Sequence, residues 1–175
     1  MPVFLQLLRF LMLALLLNAT AGCGYHLTGS QSQHLGAAQK IWVPFFSNES
    51  ISPTAQTVLR RAFYEELHAL RGLAPASSEG SADLAMKARI ISYSSTVVSY
   101  NAIDHASEYS LSLNVELEIT KKGDASPLWK GQLHAKKQYP AGTDLALQHN
   151  AEEQALDAAA RIIAQKFISA LEESY

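Results

Sequence analysis

Residues 108–119 read Glu-Tyr-Ser-Leu-Ser-Leu-Asn-Val-Glu-Leu-Glu-Ile, and every second side chain is apolar. The apolar set is Tyr109, Leu111, Leu113, Val115, Leu117 and Ile119. Successive side chains of a β-strand point to opposite faces of the sheet. The stretch is therefore predicted to be a strand with one face on a hydrophobic core and the other in a polar setting.

The same two-residue period precedes this strand, over residues 82–100. Leu84, Met86, Ala88 and Ile90 form its apolar set, and Lys87, Arg89 and Tyr93 are assigned to the opposite face. Such a stretch is well above the usual five or six residues of a strand, so we expect it to extend beyond the body of the sheet.

The two strands are predicted to form a hairpin, because residues 101–105 have turn character. A hairpin centred near residues 102 and 103 places Lys87 opposite Glu118. It also places Arg89 opposite Glu116. In this register the apolar sets of both strands share a face, so the predicted pairing is self-consistent.

The remaining elements follow from shorter signals. Residues 40–48 are predicted to be a strand, and Pro44 favours an edge position or a bulge because proline cannot donate a ladder hydrogen bond. An amphipathic helix is predicted from Ser52-Pro53, as N-cap and first helical residue, to a stop at Gly72. A loop over residues 75–81, a strand over residues 128–139 and a long last helix capped by Thr143 or Asp144 complete the series.

The element order is thus β-α-β-β-β-α, which predicts an α+β fold. Each helix has one apolar stripe and each strand has one apolar face. Two helices packed on one face of a four-stranded mixed sheet would bury both sets. The other face of the sheet would then be polar and uncovered.

The N-terminus has the pattern of a secretory signal. Residues 1–17 are almost continuously apolar apart from Gln6 and Arg9, and they are too short for a comfortable membrane span. Thr20-Ala21-Gly22 followed by Cys23 resembles a bacterial lipobox, in which Cys23 becomes the lipidated first residue. The alternative is an ordinary secreted protein with an incidental, reactive cysteine. We predict a signal peptide over 1–22, a lipidated N-terminus and linker over 23–39 and a single domain over 40–175.

Composition excludes several functional classes. The full chain has a formal charge of −2; removal of Arg9 with the signal leaves 13 basic against 16 acidic residues, or −3, which does not favour nucleic acid as a partner. A single cysteine permits no internal disulfide. The six histidines are scattered without metal-ligand spacing, so no metal site is predicted. No nucleophile elbow or glycine-rich phosphate loop is present.

Three motifs resemble one family. Cys23-Gly24-Tyr25-His26-Leu27-Thr28-Gly29 directly after the lipobox resembles the start of LptE proteins, the lipopolysaccharide-assembly lipoproteins. Residues 41–48, Ile-Trp-Val-Pro-Phe-Phe-Ser-Asn, resemble that family's first strand. Residues 106–111, Ala-Ser-Glu-Tyr-Ser-Leu, resemble the start of its third.

The resemblance implies a non-enzymatic lipoprotein, anchored to the periplasmic side of the outer membrane by acyl groups on Cys23 and without another cofactor. Such a protein would form a heterodimer with the LptD β-barrel, plug it and support its assembly. It would also assist the insertion of lipopolysaccharide into the outer leaflet. The family's proposed ligand positions lie near the hairpin tip and at the start of the last helix, where this chain has His105 and His149.

Candidate ligand contacts follow from the chemistry of lipopolysaccharide. Its sugar and phosphate end is anionic, so lysine and arginine are the expected partners. The candidates are Lys87, Arg89, Lys121, Lys122, Lys130, Lys136 and Lys137, together with His105 and His149. The alternative for each basic residue is a solvated face or a cross-strand pair with Glu116 or Glu118.

Two other functions are left open by the residues. One is a periplasmic lipoprotein adaptor of another envelope machine, built on the same small domain. The other is a lipid-anchored hydrolase that uses Asp104, His105 and Glu108.

Overall fold

The computed structural model describes residues 39–142 and 144–173, and Gln6 alone among the earlier residues. The described residues from Gln39 onward belong to one compact unit. Apart from Gln6, the predicted signal peptide lies outside the described residues, as do Thr20, Ala21, Gly22, Cys23 and the linker as far as residue 38. These assignments stay predictions.

The described chain contains two helices and one mixed sheet of six strands, where the sequence predicts four strands. In chain order the elements are β1 (Lys40–Trp42), β2 (Ser47–Asn48), α1 (Ala55–Arg71), β3 (Ala74–Pro75), a 3₁₀ turn (Glu79–Ser81), β4 (Leu84–Tyr100), β5 (Ala106–Lys121), β6 (Trp129–Pro140) and α2 (Leu145–Glu173). The strand order is β3-β1-β4-β5-β6, and β2 pairs with β4 beside β1. The β1, β2 and β3 pairings are parallel and the others are antiparallel.

The two additional strands have separate causes. The predicted strand over residues 40–48 divides into β1 and β2 around Pro44, which has no backbone N–H for the ladder. Trp42 pairs with Ala85 and Ser47 with Arg89, so the divided strand holds one residue more than β4 over this interval. Pro44 itself lies outside both strands, in the break over residues 43–46, so the strand is interrupted at the residue that was predicted to favour an edge or a bulge. The other added strand, β3, comprises two residues parallel to β1, and it includes the start of the segment predicted to be a loop.

The register of the β4–β5 hairpin is confirmed near its base and then shifts. Lys87 pairs with Glu118 and Arg89 pairs with Glu116, as predicted. Between Ile90 and Ser92 the register slips by one residue. This bulge reverses the alternation in β4, so that Tyr93 pairs with the buried Leu113 and joins the core side. The assignment of Tyr93 to the polar face was wrong.

The helix ends differ from the predictions in detail. Helix α1 begins at Ala55 after Thr54, whereas the sequence predicts a start at Ser52-Pro53. The side chain of Asn48 donates a hydrogen bond of 2.7 Å to the Ser52 carbonyl and holds that residue in the preceding loop. Gly72 ends α1 in the left-handed conformation, with a φ of 65°, as glycine readily does.

Helix α2 begins directly after Asp144. The Asp144 carboxylate accepts a hydrogen bond of 2.7 Å from the Ala146 amide, so this residue supplies the predicted cap. Thr143, the other predicted cap, lies outside the described residues. Neither described helix is both long and apolar enough to cross a membrane.

Both helices pack on one face of the sheet, as the alternating patterns predict. A line of aromatic rings runs through the core from Phe46 to Phe63, Phe167 and Trp129, with centroid separations of 5.6, 5.6 and 5.3 Å. Four buried alanines of α2 (Ala155, Ala159, Ala160 and Ala164) allow close approach of this helix. No described helix covers the opposite face, whose strand residues are exposed or half-exposed.

Candidate functional site

The open face of the sheet carries a ladder of ion pairs across its three long strands. The Glu118 carboxylate in β5 lies between two lysines, with Lys87 Nζ at 3.1 Å and Lys130 Nζ at 3.2 Å. Hydrogen bonds from Lys87 and then from Lys130 lower the pKa of Glu118 below its usual value. Three strands are thus joined on this face by charge-assisted contacts.

A second rung lies beside the first and reaches the loop after β2. Arg89 donates to Glu116 Oε2 from Nε at 3.2 Å and from Nη2 at 2.7 Å. Its Nη1 atom lies 3.2 Å from Glu49 Oε1. Hydrogen bonds to Glu116 and then to Glu49 raise the pKa of Arg89, which keeps the guanidinium charged.

The two rungs contain three cations and three carboxylates, so their formal charge is zero. Lys87, Arg89 and Lys130 therefore form the cross-strand pairs that the sequence analysis gave as the alternative to ligand contacts. An anionic ligand here would have to compete with carboxylates already in place. Glu49 was not anticipated, because its loop position gives no periodic signal.

Lys136 and Lys137 have no ion-pair partner within the described residues. They face opposite sides of β6. Lys136 pairs with Ser112 on the open face, whereas Lys137 pairs with the buried Leu111 on the helix side. Lys137 lines a groove of about 320 Å³ between β6 and the first half of α2, beside Tyr139, Leu147 and Gln154.

The other predicted contacts lie at the periphery. His105 is exposed at the end of the hairpin turn, and its amide donates to Asn101 Oδ1 at 3.0 Å. His149 is exposed on α2, where its Nε2 atom lies 3.4 Å from Glu153. Lys122 donates to the Gly80 carbonyl at 2.9 Å, and Lys121 is exposed at the end of β5.

The residues of the hydrolase hypothesis do not form a catalytic group. Within residues 39–142 and 144–173, no hydrogen bond or ion pair joins the side chains of Asp104, His105 and Glu108. Asp104 has a φ of 58° in the exposed turn. Across the same residues, no group of three or more His, Cys, Asp or Glu side chains is placed to hold a metal ion.

A cluster of polar side chains lies between β4 and α2, and the sequence analysis did not predict it. The Tyr93 hydroxyl donates a short hydrogen bond to the Glu152 carboxylate, and the Ser95 and Tyr139 hydroxyl groups lie 2.6 Å apart beside it. Burial, together with the bond to Glu152, raises the pKa of Tyr93 well above its usual range. Burial also raises the pKa of Tyr139. Only the bulge before Ser92 brings Tyr93 here, and the alternating pattern gave no sign of it.

Apolar side chains are exposed around the hairpin tip and at the start of α2. Val98, Tyr100 and Ile103 are 46%, 64% and 71% exposed at the tip. Leu145 and Leu147 are 84% and 64% exposed on the first turns of α2. Large apolar residues exposed in groups are typical of surfaces that meet a partner.

Several solved structures are similar to this chain. The rare lipoprotein B of Shewanella oneidensis aligns with a TM-score of 0.52 at 15% identity, covering 77% of this chain and 95% of that one. A hypothetical protein of Chlamydia trachomatis has a TM-score of 0.54 at 13% identity, with coverages of 78% and 96%. The PelC dodecamer of Paraburkholderia phytofirmans has a TM-score of 0.52 at 12% identity, with coverages of 79% and 91%. A search of curated proteins found no match.

At these identities the likenesses define a class by fold alone: small α+β domains with two helices on one face of a mixed sheet. The sequence defines the family more narrowly. Residues 38–171 match the model of the LptE family, described as lipopolysaccharide assembly, and the chain belongs to that family. Membership supports a role in lipopolysaccharide assembly as a bacterial envelope lipoprotein, and it supports a non-enzymatic role.

Proposed function

We propose that this protein is a lipid-anchored subunit of the outer membrane that plugs an LptD-like β-barrel, supports its assembly and assists lipopolysaccharide insertion into the outer leaflet. The observation that carries the proposal is an uncovered, polar sheet face in a chain whose residues 38–171 match the LptE family. A plug inside a barrel that admits a phosphorylated glycolipid meets a wet, polar lumen. An open face of charged and hydroxyl side chains suits that setting.

The charge ladder supports a contact role rather than a ligand pocket. Its carboxylates and cations are paired within the protein, so the ladder can approach a polar wall without leaving its own charges unpaired. The exposed apolar residues at the hairpin tip and on the first turns of α2 suit places where the plug meets protein rather than water.

The anchor belongs to the same proposal. Acyl groups on Cys23 would hold the protein at the periplasmic side of the outer membrane. Stable anchoring needs more than one acyl chain, since each buried methylene contributes about 0.8 kcal/mol. Mass spectrometry of the mature N-terminus would test this step, and a free Cys23 thiol in the membrane fraction would contradict it.

Depletion of the protein tests the proposed function in cells. We expect the amount of folded, heat-modifiable LptD-like barrel to fall, followed by a fall in surface-exposed lipopolysaccharide. Re-expression of the wild-type chain should restore both. Normal levels of folded barrel and surface lipopolysaccharide after full depletion would contradict the proposal and favour the adaptor alternative.

A further inference from the structure

Strand β4 has an open edge over its second half. Up to Ile90 this edge is occupied by β1 and β2, and the last bond there is from the Glu49 amide to the Ile90 carbonyl, at 3.2 Å. Beyond it, residues 91–100 pair with β5 on one side only, and no other strand formed by residues 39–142 and 144–173 lies against them. Backbone donors and acceptors on this edge are therefore available to another chain.

This open edge has no protective residue. Residues 91–100 read Ile-Ser-Tyr-Ser-Ser-Thr-Val-Val-Ser-Tyr, with no charge, proline or glycine. Sheet edges that face solvent are usually protected by lysine, proline, an inward charge or a β-bulge. Of these devices, residues 91–100 have only register shifts, next to Ser92 and between Val97 and Tyr100. A β-branched, uncharged segment left open is the sequence type that pairs most readily with another strand.

The other edge of the same sheet is protected. Strand β6 carries exposed lysines at positions 130, 136 and 137 and has Pro140 at its end. The Lys166 ammonium also donates to the His134 carbonyl of this strand, at 2.8 Å. The contrast within one sheet indicates that the bare edge of β4 is a specific surface.

We propose that residues 91–100 of β4 form a strand-addition site, where an extended, uncharged segment of the barrel partner pairs with the β4 backbone. This partner segment would lie on the same side of β4 as β1 and β2, beyond the point where β2 ends. This inference rests on the proposed function and deepens it by naming the contact. Main-chain hydrogen bonds supply the pairing, as in other cases of β-augmentation.

The edge also defines the chemistry of its occupant. Strands in the wall of a closed barrel are paired on both sides, so the segment belongs to a loop or terminal extension of the partner. The partner segment is expected to be uncharged, because residues 91–100 have no charged side chain that could pair with a charge buried in the contact. Apolar side chains are expected opposite Val98 and Tyr100, and small polar ones opposite Ser94 and Thr96.

Amide hydrogen exchange tests this pairing on the backbone itself. The full-length lipoprotein, tagged after Tyr175, is compared in isolation and in the complex purified from detergent-solubilised envelopes. About half of the amides in residues 92–100 point away from β5. We expect these amides to exchange at least about tenfold more slowly in the complex than in the isolated protein. Amides of β6 act as the internal comparison and should change little.

A pair of lysine variants adds a matched test. Thr96→Lys places an edge charge on β4, and Gln132→Lys places one on the already protected β6; both positions are exposed. Thr96→Lys should abolish the added protection of residues 92–100, and Gln132→Lys should retain it. Unchanged exchange of the β4–β5 ladder in each isolated variant verifies that it is folded.

The outcomes separate this inference from the proposed function. A recovered barrel without added protection of residues 92–100, or protection that survives Thr96→Lys, overturns the inference and leaves the plug intact. Protection that appears in the isolated protein as its concentration rises identifies a second copy as the occupant and also overturns it. Recovery of no barrel with the wild-type chain removes the proposed function and this inference with it.

Discussion

The hydroxyl of Tyr93 donates a hydrogen bond to the carboxylate of Glu152 and thereby ties strand β4 to helix α2. The contact lies beyond the part of β4 that β1 and β2 support. Tyr93 is half-buried, and the Tyr139 ring nearby stacks on Tyr109 with a centroid separation of 5.5 Å. The bond to Glu152 therefore links the first half of α2 to the hairpin, and the ring stacking joins β5 to β6 within the sheet.

Replacement of Tyr93 tests this link. Tyr93→Phe keeps the ring and removes the donor to Glu152, so we expect the free energy of unfolding to fall by about 1.5–3 kcal/mol, the usual range for a hydrogen bond to a charged group. Urea denaturation at neutral pH measures the change. Tyr100→Phe, at an exposed position of the same strand, is the control and should be neutral. Equal stability of the two variants would show that the link contributes nothing.

The ion pairs that Asp157 of α2 forms with Arg61 of α1 and Arg161 of α2 predict that the stability of the fold depends on pH in the acid range. Burial alone would raise the pKa of Asp157, but hydrogen bonds from Arg61 at 2.7 Å and Arg161 at 3.0 Å lower it overall. A carboxyl whose pKa is lowered by folding stabilises the fold above its unfolded pKa, about 3.9, and loses that contribution as the pH falls through the folded pKa. Asp157→Asn should therefore cost about 1 kcal/mol at pH 7 and less in acid.

The measurement is urea denaturation of both proteins from neutral to acid pH. The difference between wild type and Asp157→Asn should shrink below about pH 4. Asp124→Asn, in the exposed turn after β5, is the control and should leave the wild-type profile unchanged. A difference that stays constant or grows in acid would contradict the assigned role of Asp157.

The close approach of Gly131 to Trp129 predicts a steric cost. A Cβ atom at position 131 would lie 2.7 Å from the Trp129 ring, which already packs edge-on against Phe167. Gly131→Ala should lower the free energy of unfolding by about 1–3 kcal/mol, because the ring has little room to move. Gly80→Ala, where nothing lies within 4 Å of the added atom, is the matched control. Thermal unfolding of both variants measures the difference. Equal midpoints would show that the Trp129 ring moves aside without a cost in stability.

Direct binding of lipopolysaccharide is predicted to depend on Lys136 and Lys137 more than on Lys87. Lys87 contacts Glu118, whereas Lys136 and Lys137 have no ion-pair partner among the described residues. Loss of one charge-assisted contact should weaken binding about tenfold, which corresponds to about 1.4 kcal/mol.

Titration with fluorescent lipopolysaccharide compares the alanine variants at the three positions. Because Lys136 and Lys137 face opposite sides of β6, the more sensitive position identifies the face that the lipid contacts. A larger loss with Lys87→Ala than with either of the others would place the ligand on the charge ladder instead.

Local alternation predicted much of this fold. The turn position and the alternation of apolar residues were sufficient to predict the hairpin register as far as Ile90, since a slip of one residue would have put apolar and polar side chains on the same face. The end of α1 at Gly72 was also predicted from neighbouring residues. The hairpin register and this helix end both depend on residues close in sequence or on a single strand pairing.

The features that were missed depend on distant contacts. The bulge before Ser92 changes which residues of β4 face α2, and no residue type marks it. The Asn48 side chain delays the start of α1 by holding Ser52. Strand β3 forms only because β1 offers it an edge. For the same reason the sequence could predict the pairing of Arg89 with Glu116 but not the second contact of Arg89, with Glu49.

Affinity purification from detergent-solubilised envelopes, with the chain tagged after Tyr175, tests the central claim most directly. The plug account predicts recovery of a large β-barrel protein in about equal amount to this chain, in a complex that survives high salt because it depends on more than surface charge. An untagged strain serves as the background control. Recovery of this protein alone, without a barrel, would contradict the account despite its family.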